Sequence, residues 1–358
     1  MNKTRLNKVL QAMAEQNVPQ MVISDPAAIF YLTGKWIYPG ERMLVLYLSL
    51  SGNHKLFINE LFPLPEDLGV EKVWFNDIED GVAVLSRYIG KAKTIGIDKN
   101  WPAHFLLRLM EQQKDKAFVN GSGILDRLRM YKDEQERNLM REASRINDLA
   151  IGQLIQLISP QHSEKKLSHL LGEIYETLDA EGYSFEPIIA YGANAADSHH
   201  IPGNSRLKAG DCVLIDIGCR KNSYCSDMTR TVFYKHASDH ARKVYNLVVE
   251  ANQRAIEIIK PGVRFCDIDA AARSCIETAG YGKGFVNRTG HSIGLETHDF
   301  GDVSAVNTAP VEAGMIFSIE PSIKIPGELG IRVEDLVLVT ADGCEVLNQY
   351  PRELMIVE

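Results

Sequence analysis

Ala209-Gly210-Asp211-Cys212-Val213-Leu214-Ile215-Asp216 and Ala313-Gly314-Met315-Ile316-Phe317-Ser318-Ile319-Glu320 decide the fold. Each is an Ala-Gly turn followed by an apolar strand that runs into an acid. A carboxylate inside so apolar a strand is costly to bury, so two of them in one register point to a repeat with a chemical role. Further matches lie outward from these stretches. Ile158-Ser159-Pro160 opens a segment that passes helix-spaced Leu167, Leu170, Leu171, Ile174 and Leu178 and ends at Glu181-Gly182-Tyr183. Ile259-Lys260-Pro261 opens another, through Ile268, Ala272 and Ile276 to Ala279-Gly280-Tyr281. The copies are roughly 100 residues apart, too long a period and too few copies for a solenoid. Two helices and a β-hairpin in each copy predict an α+β domain with pseudo-twofold symmetry. Residues 134–235 and 240–340 should superpose by a twofold rotation, with Asp216 opposite Glu320 and their strands in one sheet.

A second acid follows each of the first pair, Asp227 after Asp216 and Glu334 after Glu320. Gly218 and Asn222-Ser223 allow one hairpin, and Gly327 with Gly330 allows the other. Each hairpin brings two carboxylates together from neighbouring strands, and the repeat turns one pair toward the other. Four buried carboxylates cannot all stay ionised unaided, because desolvation and mutual repulsion both oppose it. Divalent cations remove that conflict. One such acid alone reads best as an arginine partner or a strand-end residue; four in symmetric positions do not. His199, His291 and His298 lie among glycines and polar residues, whereas His162, His169, His236 and His240 flank or lie on helices and read as solvated. Gly290-His291-Ser292-Ile293-Gly294 also fits a serine-nucleophile elbow. That reading fails on context, since no helix pattern follows and His298 is the last histidine of the chain.

Upstream of the repeat, residues 1–125 alternate short helical and strand patterns, as in a small α/β unit. Asp25 should cap a helix through Leu32, and Met43–Leu50 with Lys55–Ile58 should form a hairpin around Ser51-Gly52-Asn53. Gly121-Ser122-Gly123 is the candidate linker, and the charged stretch Arg127–Arg137 that follows sets the boundary near residue 126. The chain has 39 Lys and Arg against 47 Asp and Glu, a net charge of −8 with no basic cluster, which argues against nucleic acid and anionic membranes as partners. The apolar run Met43–Leu48 is far shorter than the ~20 residues of a membrane helix. No apolar run follows Met1–Arg5, so no secretory signal is expected. The six cysteines form no Cys-x-x-Cys pair and read as reduced thiols of a cytoplasmic protein.

Ile215–Gly218, Tyr224–Thr231, Gly290–His298, Glu320-Pro321 and Gly330–Asp335 together resemble the pita-bread metallopeptidases. Within them they resemble the proline-directed branch, prolidase (Xaa-Pro dipeptidase) and aminopeptidase P. The resemblance spans 126–358 strongly. Residues 1–125 resemble the creatinase-type N-terminal domain through Tyr31-Leu32-Thr33-Gly34 and Glu41-Arg42. The resemblance implies a pita-bread α+β domain over 126–358, preceded by an α/β N-terminal domain over 1–125. It implies a dinuclear site in which Asp216 holds one metal, Asp227 and Glu334 bridge both, and His291 and Glu320 complete the other. Glu320 would be the general base, His199 and His298 would contact the substrate or the developing oxyanion, and Arg332 would orient ligand carboxylates. Two divalent ions, Mn(II) first and Co(II) or Zn(II) as alternatives, would activate a bridging hydroxide. That nucleophile would attack the bond preceding proline in Xaa-Pro dipeptides or short Xaa-Pro peptides. Aminopeptidase P, acting on longer Xaa-Pro peptides, shares these ligands; the N-terminal resemblance favours the dipeptidase. A non-catalytic pita-bread binding module is the reading from another class, and the intact ligand set speaks against it. A homodimer is also implied. Two positions depart from the family pattern: Ser223 where glycine precedes the hairpin tyrosine, and Lys324 where a tyrosine follows the Glu320 position by four residues.

Overall fold

The computed structural model describes residues 1–358, within which Met1–Arg129 and Met130–Glu358 form separate units. The first unit runs α1 (Lys3–Glu15), β1 (Gln20–Ile23), α2 (Pro26–Thr33), β2 (Val45–Ser49), β3 (Lys55–Asn59), β4 (Glu71–Phe75), α3 (Gly81–Ser86), β5 (Thr94–Ile97), α4 (Ala103–Gln112), β6 (Ala117–Asn120) and α5 (Ser122–Met130). Its strands make one sheet in the order β4-β3-β2-β1-β5-β6. The local signals act as expected: the Asp25 side chain accepts the Ala28 N–H, Pro26 takes the first turn, and Gly34 ends α2 in the left-handed conformation.

Gly121-Ser122-Gly123 is not a linker. Ser122 and Gly123 begin α5, with the Ser122 N–H held by the Asn120 side chain. Gly121 is small for packing reasons: a Cβ there would lie 3.1 Å from Met21 Cε and 3.2 Å from Gly96 Cα. The break between units falls at 129/130, at the end of this helix and a few residues beyond position 126.

The second unit runs α6 (Glu134–Gln156), α7 (Glu164–Thr177), β7 (Ile188–Tyr191), β8 (Cys212–Ile217), β9 (Arg220–Lys221), β10 (Tyr224–Cys225), β11 (Met228–Tyr234), α8 (Asp239–Glu257), α9 (Phe265–Thr278), β12 (Gly290–His291), β13 (Asp302–Val303), β14 (Ile316–Ile319), β15 (Ser322–Ile325), β16 (Leu329–Arg332), β17 (Asp335–Val339), β18 (Cys344–Val346) and β19 (Ile356–Val357). Its halves repeat one series: α6-α7-β7-β8-β11, then α8-α9-β12-β14-β17. The expected single sheet is not formed. Asp216 lies in the sheet β19-β11-β8-β7, and the strand leading to Glu320 lies in β14-β17-β18. Pro321, which has no N–H to give, follows Glu320, and the chain leaves the ladder for the β15–β16 hairpin. The β11 strand is tied to the segment after β15, with Glu334 N–H bonded to the Thr229 carbonyl at 3.1 Å and the Thr231 hydroxyl to the Arg332 carbonyl of β16 at 3.0 Å.

Strand alternation aims the acids. On β8, Val213, Ile215 and Ile217 pack with Ile146, Ile151 and Leu171 of α6 and α7, while Cys212 and Leu214 face the core of α8 and α9. Asp216 follows Leu214 by two and shares its face. On β14, Phe317 and Ile319 join the α8–α9 core, which leaves Ser318 and Glu320 on the other face. No helix is long and apolar enough to cross a membrane.

Candidate metal centre

Register brings the carboxylates together in pairs. Asp216 opposes Thr229 across β8 and β11, so Asp227 is its diagonal neighbour on the same face. Ile319 opposes Asp335, so one further step sets Glu320 against Glu334. Gly290 presses β12 onto β14, because a Cβ there would lie 1.8 Å from the Ser318 carbonyl oxygen. The next residue is His291, whose N–H donates to Ser318 Oγ at 3.0 Å.

His291 Nε2 then lies 3.5 Å from Asp227 Oδ2 and 3.6 Å from Glu320 Oε1. Its Nδ1 sits 3.2 Å from the Ser292 carbonyl oxygen, a geometry that protonates Nδ1 and leaves the Nε2 lone pair facing the acids. Burial, with His298 and Arg288 nearby, pulls the His291 pKa down to about 3, so the ring is neutral, as a metal ligand must be. Asp227, His291 and Glu334 offer ligand atoms within 4.8 Å of one another.

The electrostatics fit a cation site. Burial, then Glu334, Asp216 and Glu320, push Asp227 well above the carboxylate range. Burial, then Glu320 and Asp216, do the same to Glu334. Burial raises Glu320 to about 7. Oδ1 of Asp216 and Oδ1 of Asp227 are buried with no hydrogen-bond partner. Orphaned carboxylate oxygens in a crowd of acids are the donor set of hard divalent cations. One cation is built in: Arg332 Nη2 donates to Asp216 Oδ2, and Nε donates to Thr229 Oγ1 at 2.9 Å. The Thr229 hydroxyl donates on to Glu334 Oε2 at 2.6 Å. Behind them, the buried Arg230 donates to the carbonyls of Thr229 and Glu334 and to Asp335 Oδ1, which locks the strand that carries Glu334.

These acids and His291 line a cleft of about 960 Å³. His199 and His298 line it too, and both are exposed. The His298 ring lies 4.2 Å from that of His291. His169, read as a solvated helix residue, also faces this cleft. No helix follows Ser292, in keeping with rejection of the serine elbow. All six cysteines are free thiols. Asn222 and Ser223 both have positive φ, 46° and 74°, so the Ser223 departure concerns a tight turn and not the acids.

Sequence reading missed Glu164 and His200. Glu164 is fully buried and accepts from Tyr191 N at 2.9 Å, Asn194 Nδ2 at 2.8 Å, His200 Nε2 at 2.9 Å and Gly203 N at 3.0 Å. Burial opposes its charge, yet these bonds together hold its pKa below the usual range. It thereby anchors both ends of the loop that carries Ser198 and His199. No local pattern announces this, because Glu164 looks like an ordinary first-turn acid of α7. Glu164→Ala leaves four donors without an acceptor. It is expected to cost about 2–4 kcal/mol of stability in denaturant titration.

The comparisons agree with this geometry. A model of metallopeptidase family M24 matches residues 138–341, and a creatinase/prolidase N-terminal domain model matches 5–131. An uncharacterised peptidase of Staphylococcus aureus is 33% identical, over 98% of this chain and 100% of its own. A dipeptidase from Pyrococcus horikoshii OT3 is 31% identical with a TM-score of 0.92, covering 99% of this chain and 100% of that one. A prolidase from Thermococcus sibiricus is 28% identical with a TM-score of 0.94, covering 100% and 99%. Both folds, the repeated α+β domain and the smaller α/β domain before it, are thus those of prolidases. This chain belongs to metallopeptidase family M24, whose metal-dependent hydrolysis the carboxylate–histidine cluster fits.

Proposed function

We propose that the protein is an Xaa-Pro dipeptidase that cleaves the bond before proline, with Asp216, Asp227, His291, Glu320 and Glu334 holding two divalent ions, Mn(II) by preference. The observation that carries the reading is the set of four acids and one neutral histidine along one cleft, too many ligands for one ion with an open position. The likeness to a dipeptidase and a prolidase supports the substrate class. Ions held by these five residues would supply a more acidic water and a Lewis acid for the scissile carbonyl.

The chain's own residues do the rest. Glu320, at the more exposed edge of the acid cluster, takes the proton of the attacking water and passes it to the leaving proline nitrogen. His298, beside His291, donates to the oxygen that gains charge. His199 contacts the substrate from the opposite loop. Arg332 fixes the Asp216 carboxylate and the Thr229–Glu334 pair so that the ligand oxygens are preset. Phe185, Ile188, Ile201 and Val286 on the cleft offer an apolar wall for a pyrrolidine ring. The proposal includes a homodimer and a cytoplasmic location, the latter in keeping with six free thiols.

A second reading, aminopeptidase P, is favoured by the cleft volume of about 960 Å³, more than a dipeptide fills. Hydrolysis of Ala-Pro beside Ala-Pro-Ala with Mn(II), with metal analysis, tests both. Two ions per chain, loss of activity in chelator and preference for Ala-Pro are expected. Full activity in excess chelator would sink the metal reading, and preference for the tripeptide would select the alternative.

A further inference from the structure

We propose that Lys324, framed by Asn287 and Ser198, is a recognition site for a carboxylate of the substrate; this rests on the peptidase reading. Lys324 lies on β15, opposite Gly330 of β16, and lines the cleft with only 9% of its surface exposed. Its Nζ donates to Ser198 Oγ at 2.6 Å and to Asn287 Oδ1 at 3.2 Å. Both partners are neutral. An ammonium has three N–H donors, so one is left for a ligand. No carboxylate is hydrogen-bonded to this buried cation; Glu320 and Asp197 act on it only through space. Burial, and Arg332 nearby, draw its pKa down to about 8, which still leaves it charged at neutral pH.

The frame around the ammonium is rigid. Asn287 Oδ1 also accepts the Ser322 hydroxyl at 2.7 Å, and its Nδ2 donates to the Arg288 carbonyl at 2.9 Å. Ser198 sits on the loop that Glu164 anchors on either side, at Asn194 and Gly203. Of the other cations on the cleft, Arg332 is committed to Asp216, whereas Lys165 and Arg288 are exposed. Lys324 and Glu320 are near enough for each charge to shift the other's titration. In an Xaa-Pro dipeptide the terminal carboxylate lies one residue beyond the scissile bond, roughly 3.5 Å of chain. The same anion could instead come from an acidic side chain of the first residue. A longer peptide, with a neutral amide in place of the terminal carboxylate, would leave Lys324 unpaired, so the site sets a preference for dipeptides.

The test compares Ala-Pro, Ala-Pro amide and Asp-Pro amide with wild type, Lys324→Met and Lys324→Arg, in Mn(II). Wild type should favour Ala-Pro over its amide by about 10–100-fold in kcat/KM, the range of a charge-assisted hydrogen bond. Lys324→Met should bring that ratio close to one, and Lys324→Arg should restore part of it. If Asp-Pro amide, not Ala-Pro, carries the Lys324-dependent advantage over Ala-Pro amide, the anion is the side chain. A Lys324 that merely ties two loops together would lower all substrates alike and leave the ratio unmoved, which overturns the proposal. Calorimetry of L-proline against L-prolinamide gives a readout without turnover. Tighter binding of L-proline that Lys324→Met abolishes would uphold the site even if no peptide were cleaved and the peptidase reading fell; equal binding of the two would count against it.

Discussion

Glu320→Gln should lower turnover by about 10²–10⁴-fold, the usual contribution of a positioned general base, while much of the bound metal stays. The substitution keeps the size of the side chain and one oxygen. It removes the carboxylate proposed to accept the proton. Glu320 is suited to that task by position: Oε1 lies 3.6 Å from His291 Nε2 and 3.5 Å from Ser318 Oγ, at the edge of the acid cluster. Its side chain is also the most exposed of the cluster, at 15% against 5% for Asp227 and 10% for Asp216. A residue that must exchange a proton with substrate needs that access, whereas a purely structural ligand does not. Asp216, Asp227, His291 and Glu334 persist in the variant, so elemental analysis should find metal. Near-normal turnover at full metal content would move the base to His298.

The pairing of the acids was legible because its logic is local. An acid in an apolar strand, a turn of Asn222-Ser223, and a second acid on the return strand state the Asp216–Asp227 pair with no long-range knowledge. Asp25 as a helix cap was legible for the same reason. The errors arise where a residue's role is set by a distant partner. Gly121 looked like part of a linker, yet it is small because Gly96 and Met21 press against it. The separate sheets of Asp216 and Glu320 follow from the excursion after Pro321, which a pattern of matched halves does not show. Glu164 and Asn287 act through distant partners, Glu164 with Tyr191 and Asn194 at 27 and 30 residues and Asn287 with Lys324 at 37. Such bonds are invisible to any periodicity.

Asp227→Asn should raise the stability of the chelated protein and lower that of the metal-loaded one. In chelator, Asp227 must either stay charged among like charges or take up a proton, with Oδ1 unpartnered and its pKa pushed up by burial, Glu334, Asp216 and Glu320. An amide of the same shape removes that repulsion and supplies N–H donors to the remaining acids. A gain of about 1–3 kcal/mol is expected, the scale seen when poorly compensated buried charge is replaced, and a melting point several degrees higher. Metal reverses the sign. Binding stabilises the native state in proportion to the logarithm of ligand over Kd, so losing a ligand shared by two ions shrinks the rise in melting point on adding Mn(II). Activity should fall to near background and recover in part as Mn(II) is raised. Asp216→Asn provides the contrast. Asp216 is paired with Arg332, so Asp216→Asn removes the one carboxylate to which that buried guanidinium is bonded. In chelator that variant should lose about 3–5 kcal/mol, opposite in sign to Asp227→Asn. Melting curves of both variants with chelator and with Mn(II) decide the matter. If Asp227→Asn destabilises the chelated protein as much as Asp216→Asn does, Asp227 is held by a compensating partner and is a structural acid, not the bridging ligand of a metal pair.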